Sequence, residues 1–187
     1  MATDTKIPEP GSVLLSEPFM PDVNFKRSVV LLCEHQEEGS VGFILNRPLG
    51  IKINEAIESF PHFDAELFLG GPVQTDTLHY IHRLPEVIEG SVEVIPGLYW
   101  GGNFENIKIL IETNQITPDD IRFFLGYSGW GEGQLQDEMK ERSWIVSQTD
   151  PTTIFDHDIE NLWKHVLQNM GGQYQIMSNF PESPLLN

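Results

Sequence analysis

Residues 28–34 read Ser-Val-Val-Leu-Leu-Cys-Glu, β-branched and almost wholly apolar, the pattern of a strand buried on both faces. A polar turn, residues 35–39, separates this run from a second one at residues 40–46, and the two predict a hairpin. Val13–Ser16 is a short strand ahead of a proline-rich loop at residues 18–22. Asn54 predicts the cap of a short helix through Phe60. Residues 67–69 run into Gly70-Gly71-Pro72, a backbone break. Across residues 77–84 the alternation puts Leu78, Tyr80, His82 and Leu84 on one strand face. His79, Ile81 and Arg83 fall on the other. Val92–Ile95 and Leu98–Trp100 form a further strand pair around Pro96-Gly97.

Helical periodicity enters later in the chain. Asn103 caps a helix with Phe104, Ile107 and Ile111 on one stripe. Thr117-Pro118-Asp119-Asp120 has the order of a helix start, so one helical turn is expected before a strand at residues 121–127. Residues 129–133 read as a glycine-rich loop, residues 135–142 as a polar helix and Trp144–Ser147 as a strand. Ile159, Leu162, Trp163, Val166, Leu167 and Met170 share one helical face that ends at Gly171, with Glu160 and Lys164 four apart as a favourable pair. Residues 1–10, polar and carrying Pro8 and Pro10, read as an arm, and residues 11–187 as one domain without linker or repeat. Strands arriving in hairpins rather than in βαβ units point to the α+β class.

Composition changes the picture mainly through charge. The 187 residues contain 11 Lys+Arg against 28 Asp+Glu, a formal net charge of -17. Such a surface repels phosphates, which argues against unaided nucleic-acid binding and against anionic membranes. A chain of this length buries about 70% of its unfolded surface and needs no metal or disulfide staple. Its one cysteine, Cys33, excludes an internal disulfide and multi-cysteine zinc motifs. No basic-then-apolar leader opens the chain and no apolar run reaches the ~18 residues of a membrane span, so a cytoplasmic location is expected. No cofactor is expected.

Candidate chemistry is sparse. Residues 126–134, Gly-Tyr-Ser-Gly-Trp-Gly-Glu-Gly-Gln, follow a strand and precede a helix, where glycine N–H groups can face an anion. Gln134 breaks the dinucleotide fingerprint, and neither a P-loop nor a Gly-x-Ser-x-Gly elbow is present. The alternative is a tight turn in which Trp130 packs. Of the histidines, His62, His79, His82, His157 and His165 are isolated and read as surface or half-buried polar residues; His35 is the exception, at a strand end beside Cys33 and Glu34. His79 and His82 fall on opposite strand faces and make a poor metal pair. Cys33 and His35 share a strand face, which would allow a thiolate; the alternative is that Cys33 is a small buried hydrophobe. Glu34, Glu37 and Glu38 read as a solvated turn, and Asp137, Glu138 and Glu141 as a solvated helix face. The scarce cations Arg27, Arg47, Arg83 and Arg122 are expected in ion pairs, and Arg47, between Asn46 and Pro48, is placed to aim a guanidinium at a carboxylate or ligand.

Several segments together resemble the AlgH/YqgE family of bacterial proteins. They are residues 11–16, Gly-Ser-Val-Leu-Leu-Ser; residues 25–30, Phe-Lys-Arg-Ser-Val-Val; Cys33-Glu34-His35 with Gly39 and Gly42; Asn46-Arg47-Pro48-Leu49; Gly70-Gly71-Pro72-Val73; and residues 126–130 continuing through Gly133-Gln134-Leu135. Trp144 and Trp163 fall where the family has tryptophans, whereas Ser128 replaces a frequent Ala and Gln136 stands where an acid is common. The resemblance spans residues 11–170. It implies an α+β fold: a bifurcated, mostly antiparallel sheet curled into a pseudo-barrel, with helices packed outside. It also implies a cytoplasmic protein, often labelled a transcriptional regulator, with no established reaction.

A direct DNA reader needs a basic face and a reading element, and the scattered cations supply neither. The expectation is a non-enzymatic binding or regulatory protein acting through an unidentified protein partner or small-molecule ligand. Its surface would comprise Arg27, Ser28, His35, Asn46, Arg47, Gly70, Gly71, Trp130 and Gln134, residues of turns and strand ends. Arg47 would hold an anionic group, Asn46 and Gln134 would orient it, Trp130 would be an aromatic wall, and Gly70-Gly71 would permit close approach. The alternative is an enzyme or redox sensor centred on Cys33 and His35.

Overall fold

A computed structural model describes residues 6–84, 87–155 and 158–183. Residues 1–5 of the expected arm and His157 lie outside the described residues. In chain order the elements are β1 (Val13–Ser16), β2 (Val29–Gln36), β3 (Gly39–Ile44), β4 (Pro48–Lys52), α1 (Ile53–Ala56), β5 (Glu66–Leu69) and β6 (Val73–His82). There follow β7 (Val92–Ile95), β8 (Leu98–Trp100), α2 (Phe104–Glu112), β9 (Ile121–Gly131), α3 (Gln134–Lys140), β10 (Trp144–Ser147), α4 (Pro151–Ile154), α5 (Leu162–Met170) and α6 (Gly172–Met177).

The strands form one 10-stranded sheet in the order β10-β1-β2-β3-β9-β6-β8-β7, with β5 attached to β9 and β4 to β5. All pairs are antiparallel except β5 with β9. The fork lies in β9. One edge of β9 pairs with β5 at Phe123, Phe124 and Leu125, and with β3 at Ser128 to Gly131; β6 runs along the other edge. The sheet is curled but not closed, so the α+β expectation holds.

Both faces of the sheet are covered, as the continuous apolar run in β2 requires. Val29, Leu31 and Cys33 join a central cluster with Phe43, Phe124 and the α5 residues Leu162, Trp163, Val166 and Leu167. Val30 and Leu32 face the opposite way, onto Trp130, Trp144 and Leu135 of α3. A third cluster packs Ile107, Leu110 and Ile111 of α2 on Leu67, Tyr80 and Phe123. Each fully buried Leu or Ile contributes roughly 2 kcal/mol relative to an exposed one.

Several local expectations are corrected. Residues 129–131 are strand, not loop, because β3 pairs with them directly. The first helix begins at Ile53, ahead of Asn54, whose Oδ1 instead accepts from the Phe63 N–H at 3.3 Å. Thr117 and Asp120 close a turn, side chain to backbone at 2.8 Å, and no helix forms there. α5 starts at Leu162, which leaves Glu160 ahead of it. Asn103 caps α2 as expected, accepting from the Glu105 and Asn106 N–H groups. Among the described residues no helix is long and apolar enough to cross a membrane.

Candidate functional site

Arg27, Ser28, Asn46 and Arg47 converge where β2 begins and β3 ends. Asn46 clamps this corner: its Oδ1 accepts from the Val29 N–H and its Nδ2 donates to the Arg27 carbonyl, both at 2.9 Å. The expected ion pairs do not form here. Arg27 takes a left-handed backbone, stacks 4.9 Å over Trp163 and donates to the Phe180 carbonyl at 2.6 Å. Arg47 donates to the carbonyls of Asn46 and Lys26. Burial pushes its guanidinium pKa down. Main-chain carbonyls thus replace carboxylates as the partners of both cations. Arg83 donates to the Pro151 carbonyl and lies 4.3 Å over Phe155, while Arg122 lies 4.9 Å over Phe68. Ser28 is fully buried, with its N–H on Ser16 Oγ at 3.0 Å.

Gly70 and Gly71 sit at the fork. Gly70 donates to the Leu125 carbonyl, and its own carbonyl accepts from the Ile44 N–H and from Ser128 Oγ. A Cβ at Gly71 would stand 2.3 Å from the Tyr127 carbonyl. The close approach these glycines allow is therefore that of the protein's own strand β9.

Trp130 is a core residue rather than an exposed wall. It is buried, edge-on to Trp144, and donates its indole N–H to Glu138. Gln134 accepts from the Gly131 N–H and donates to the same carboxylate at 2.9 Å. Glu138 is thus a half-buried acceptor and not part of a solvated face, a role that helical spacing alone does not reveal.

Cys33 and His35 do not share a face. Opposite Gly42 and Val41 of β3 stand Leu32 and Glu34, leaving Cys33 as the extra residue of a β-bulge. The bulge shifts the alternation: Cys33 points into the central cluster, while His35 lies beside Ser40 and Trp130 on the other face. There His35 Nδ1 sits 2.6 Å from Ser40 Oγ. Burial holds the Cys33 thiol pKa far above its ordinary value, the reverse of a thiolate site. The bulge has no sequence signal such as glycine at position 33. His82 is likewise fully buried rather than a surface histidine; its ring meets the Gly101 carbonyl, Ser91 Oγ and the Leu84 N–H, and burial lowers its pKa.

One cleft of about 430 Å³ lies over the ends of β2, β3 and β9. Its floor is Gly39, Gly129 and Gly131, its wall Tyr127, and its rim Glu34, Gln36 and Glu38. The segments around 33–35, 39–42 and 126–131 thus come together, whereas the Arg27–Arg47 corner is a separate cluster. Among the described residues no group of three His, Cys, Asp or Glu side chains is placed to hold a metal ion.

Comparison with known proteins agrees with this architecture. A UPF0301 protein of Chlorobaculum tepidum is 46% identical over 187 residues, covering 100% of both chains. One from Cytophaga hutchinsonii is 45% identical over 178 residues, 95% of this chain and 98% of the relative. The solution structure of AlgH from Pseudomonas aeruginosa superposes with a TM-score of 0.74 at 25% identity, over 97% of this chain and 98% of AlgH. A Corynebacterium diphtheriae crystal structure gives 0.78 at 21% identity, over 95% of each chain, a likeness of fold. The family model described as AlgH-like matches residues 13–175, and the chain belongs to that family.

Proposed function

We propose that the chain is a non-enzymatic cytoplasmic protein that binds a partner protein or a small ligand and acts as a regulator through it. The observation that carries this reading is the use of the polar motif side chains. Asn46, Arg47, Gln134 and Ser128 all bond the protein's own backbone or one another, and Cys33 is turned away from His35. The Cys33 thiol is thereby kept from the His35 imidazole, which meets Ser40 Oγ instead. The glycine-floored cleft over β2, β3 and β9 faces outward, with Tyr127 as its wall and carboxylates on its rim. Open backbone beside an aromatic ring serves recognition.

The test is native mass spectrometry of protein purified from its own host, wild type beside Gly131→Trp. Nothing lies within 4 Å of a Cβ at Gly131, so the indole enters the cleft without disturbing the core. Added mass, from a ligand or a partner, that is present on the wild type and missing from the variant supports the reading. A bare chain in both cases, or equal added mass in both, overturns it.

A further inference from the structure

β10 ends the sheet. It pairs with β1 alone, and the bond from the Glu17 N–H to the Ser143 carbonyl at 3.0 Å sets which groups face inward. By antiparallel alternation, Ser143, Ile145 and Ser147 bond toward β1, and Trp144 and Val146 turn their N–H and C=O groups outward. Among the described residues no other strand takes these groups. The segment Trp-Ile-Val-Ser carries neither charge nor proline, the usual guards of an edge.

A groove of about 780 Å³ runs along this edge. On one side stands Met139 of α3, which packs with the Trp130–Trp144 cluster; on the other stand Met170 and Tyr174, which pack with the central cluster, and Met177. Residues packed on both core layers therefore line the groove beside β10. Adaptable methionines on either side suit alternating apolar side chains of varied shape. The rim is basic in an otherwise acidic chain: Lys6, Lys140 and Arg142 line the groove against Glu17, and exposed Lys140 also reaches Asp137 at 2.7 Å. Arg142 holds a left-handed φ of 62° just after α3, where glycine is the unstrained choice.

We infer that the β10 edge is a docking site for an extended peptide segment of a partner protein, one that adds as a further strand and carries Asp or Glu beside its apolar residues. Main-chain bonds to Trp144 and Val146 hold the added strand, its alternate side chains enter the two apolar walls, and its carboxylates meet Lys140 and Arg142. The charge decides the occupant. A second copy paired edge to edge would set the same basic rim against itself, whereas a short acidic peptide brings the charge that Lys140 and Arg142 complement. This surface is separate from the glycine-floored cleft and stands without it.

Screening a displayed library of random heptapeptides on the full chain tests the inference, with the best peptide resynthesised and its affinity measured by fluorescence anisotropy. Val146→Pro removes an outward N–H and leaves the β1 pairing intact, since proline is tolerated on the open side of an edge strand. The expected result is enrichment of alternately apolar peptides bearing Asp or Glu. Binding should weaken at least tenfold in Val146→Pro and in the double variant Lys140→Glu, Arg142→Glu, and it should weaken from 50 to about 300 mM salt. Circular dichroism checks the proline variant, and if it is unfolded the charge reversal alone decides. No enrichment, a basic consensus, or equal binding by the variants overturns the inference. So does a dimer in native mass spectrometry that Val146→Pro abolishes, because the occupant is then a second copy.

Discussion

Trp130 and Trp144 donate their indole N–H groups to the same carboxylate oxygen, Oε2 of Glu138, at 2.9 and 2.7 Å. One side chain of α3 thus ties β9 to β10 across the outer layer. Glu138→Leu leaves two buried donors without a partner and should cost about 2–4 kcal/mol. Glu138→Gln keeps an acceptor oxygen and should cost less than half as much. Urea unfolding followed by tryptophan fluorescence measures both; equal losses would show that the shared acceptor is not what holds the pair.

The two classes of glycine should separate cleanly. Gly71→Ala drives a methyl into the Tyr127 backbone and should cost about 3 kcal/mol or more, if the variant folds. Gly131→Ala meets nothing within 4 Å and should stay within about 0.5 kcal/mol of wild type. Thermal melts of the two variants side by side check the contrast.

Burial lowers the His82 pKa, with the Gly101 carbonyl opposing in part, and burial lowers that of His79 as well. In the unfolded chain both titrate near ~6.5. As pH falls through that value the unfolded chain takes up protons that the folded one refuses, so stability drops toward acid and is retained above neutrality. His82→Gln cannot take up that proton and should show a shallower fall between pH 7.5 and 5.5. An unchanged slope in denaturant titrations would place the effect elsewhere.

Cys33 should be silent in the folded protein. At pH 8 a maleimide should label it only after unfolding, and His35→Ala should leave the native rate unchanged, because the bulge puts the two side chains on opposite faces. Native labelling that slows on removal of His35 would restore a thiolate pair.

Legibility followed the range of the forces involved. β7, β8, β10 and the Asn103 cap can be read from the sequence because alternation, a Pro-Gly turn and a capping side chain are local. The bulge at Cys33 cannot, since it exists only in the pairing of β2 with β3. Gly129 and Gly131 carry turn chemistry but lie in a strand, because a partner strand outweighs local preference. The site is legible as a set of segments, and the 33–35, 39–42 and 126–131 segments do meet. Side-chain roles were hidden: Asn46 reads as a ligand-orienting group and proves to be a clamp on Val29.

The division of one β9 edge between β5 and β3 has a consequence for synthesis on the ribosome. Until residue 121 and those after it have emerged, the hairpin of β2 and β3 and the pair of β4 and β5 have no common strand to join. The first 120 residues can form hairpins and most of the cluster that packs α2 on β5 and β6, but nearly two thirds of the chain is made before the strand that joins them into one sheet. A nascent chain stalled before β9 is therefore a natural client for chaperones, and completion of the fold is a single late event rather than a progression from the N-terminus.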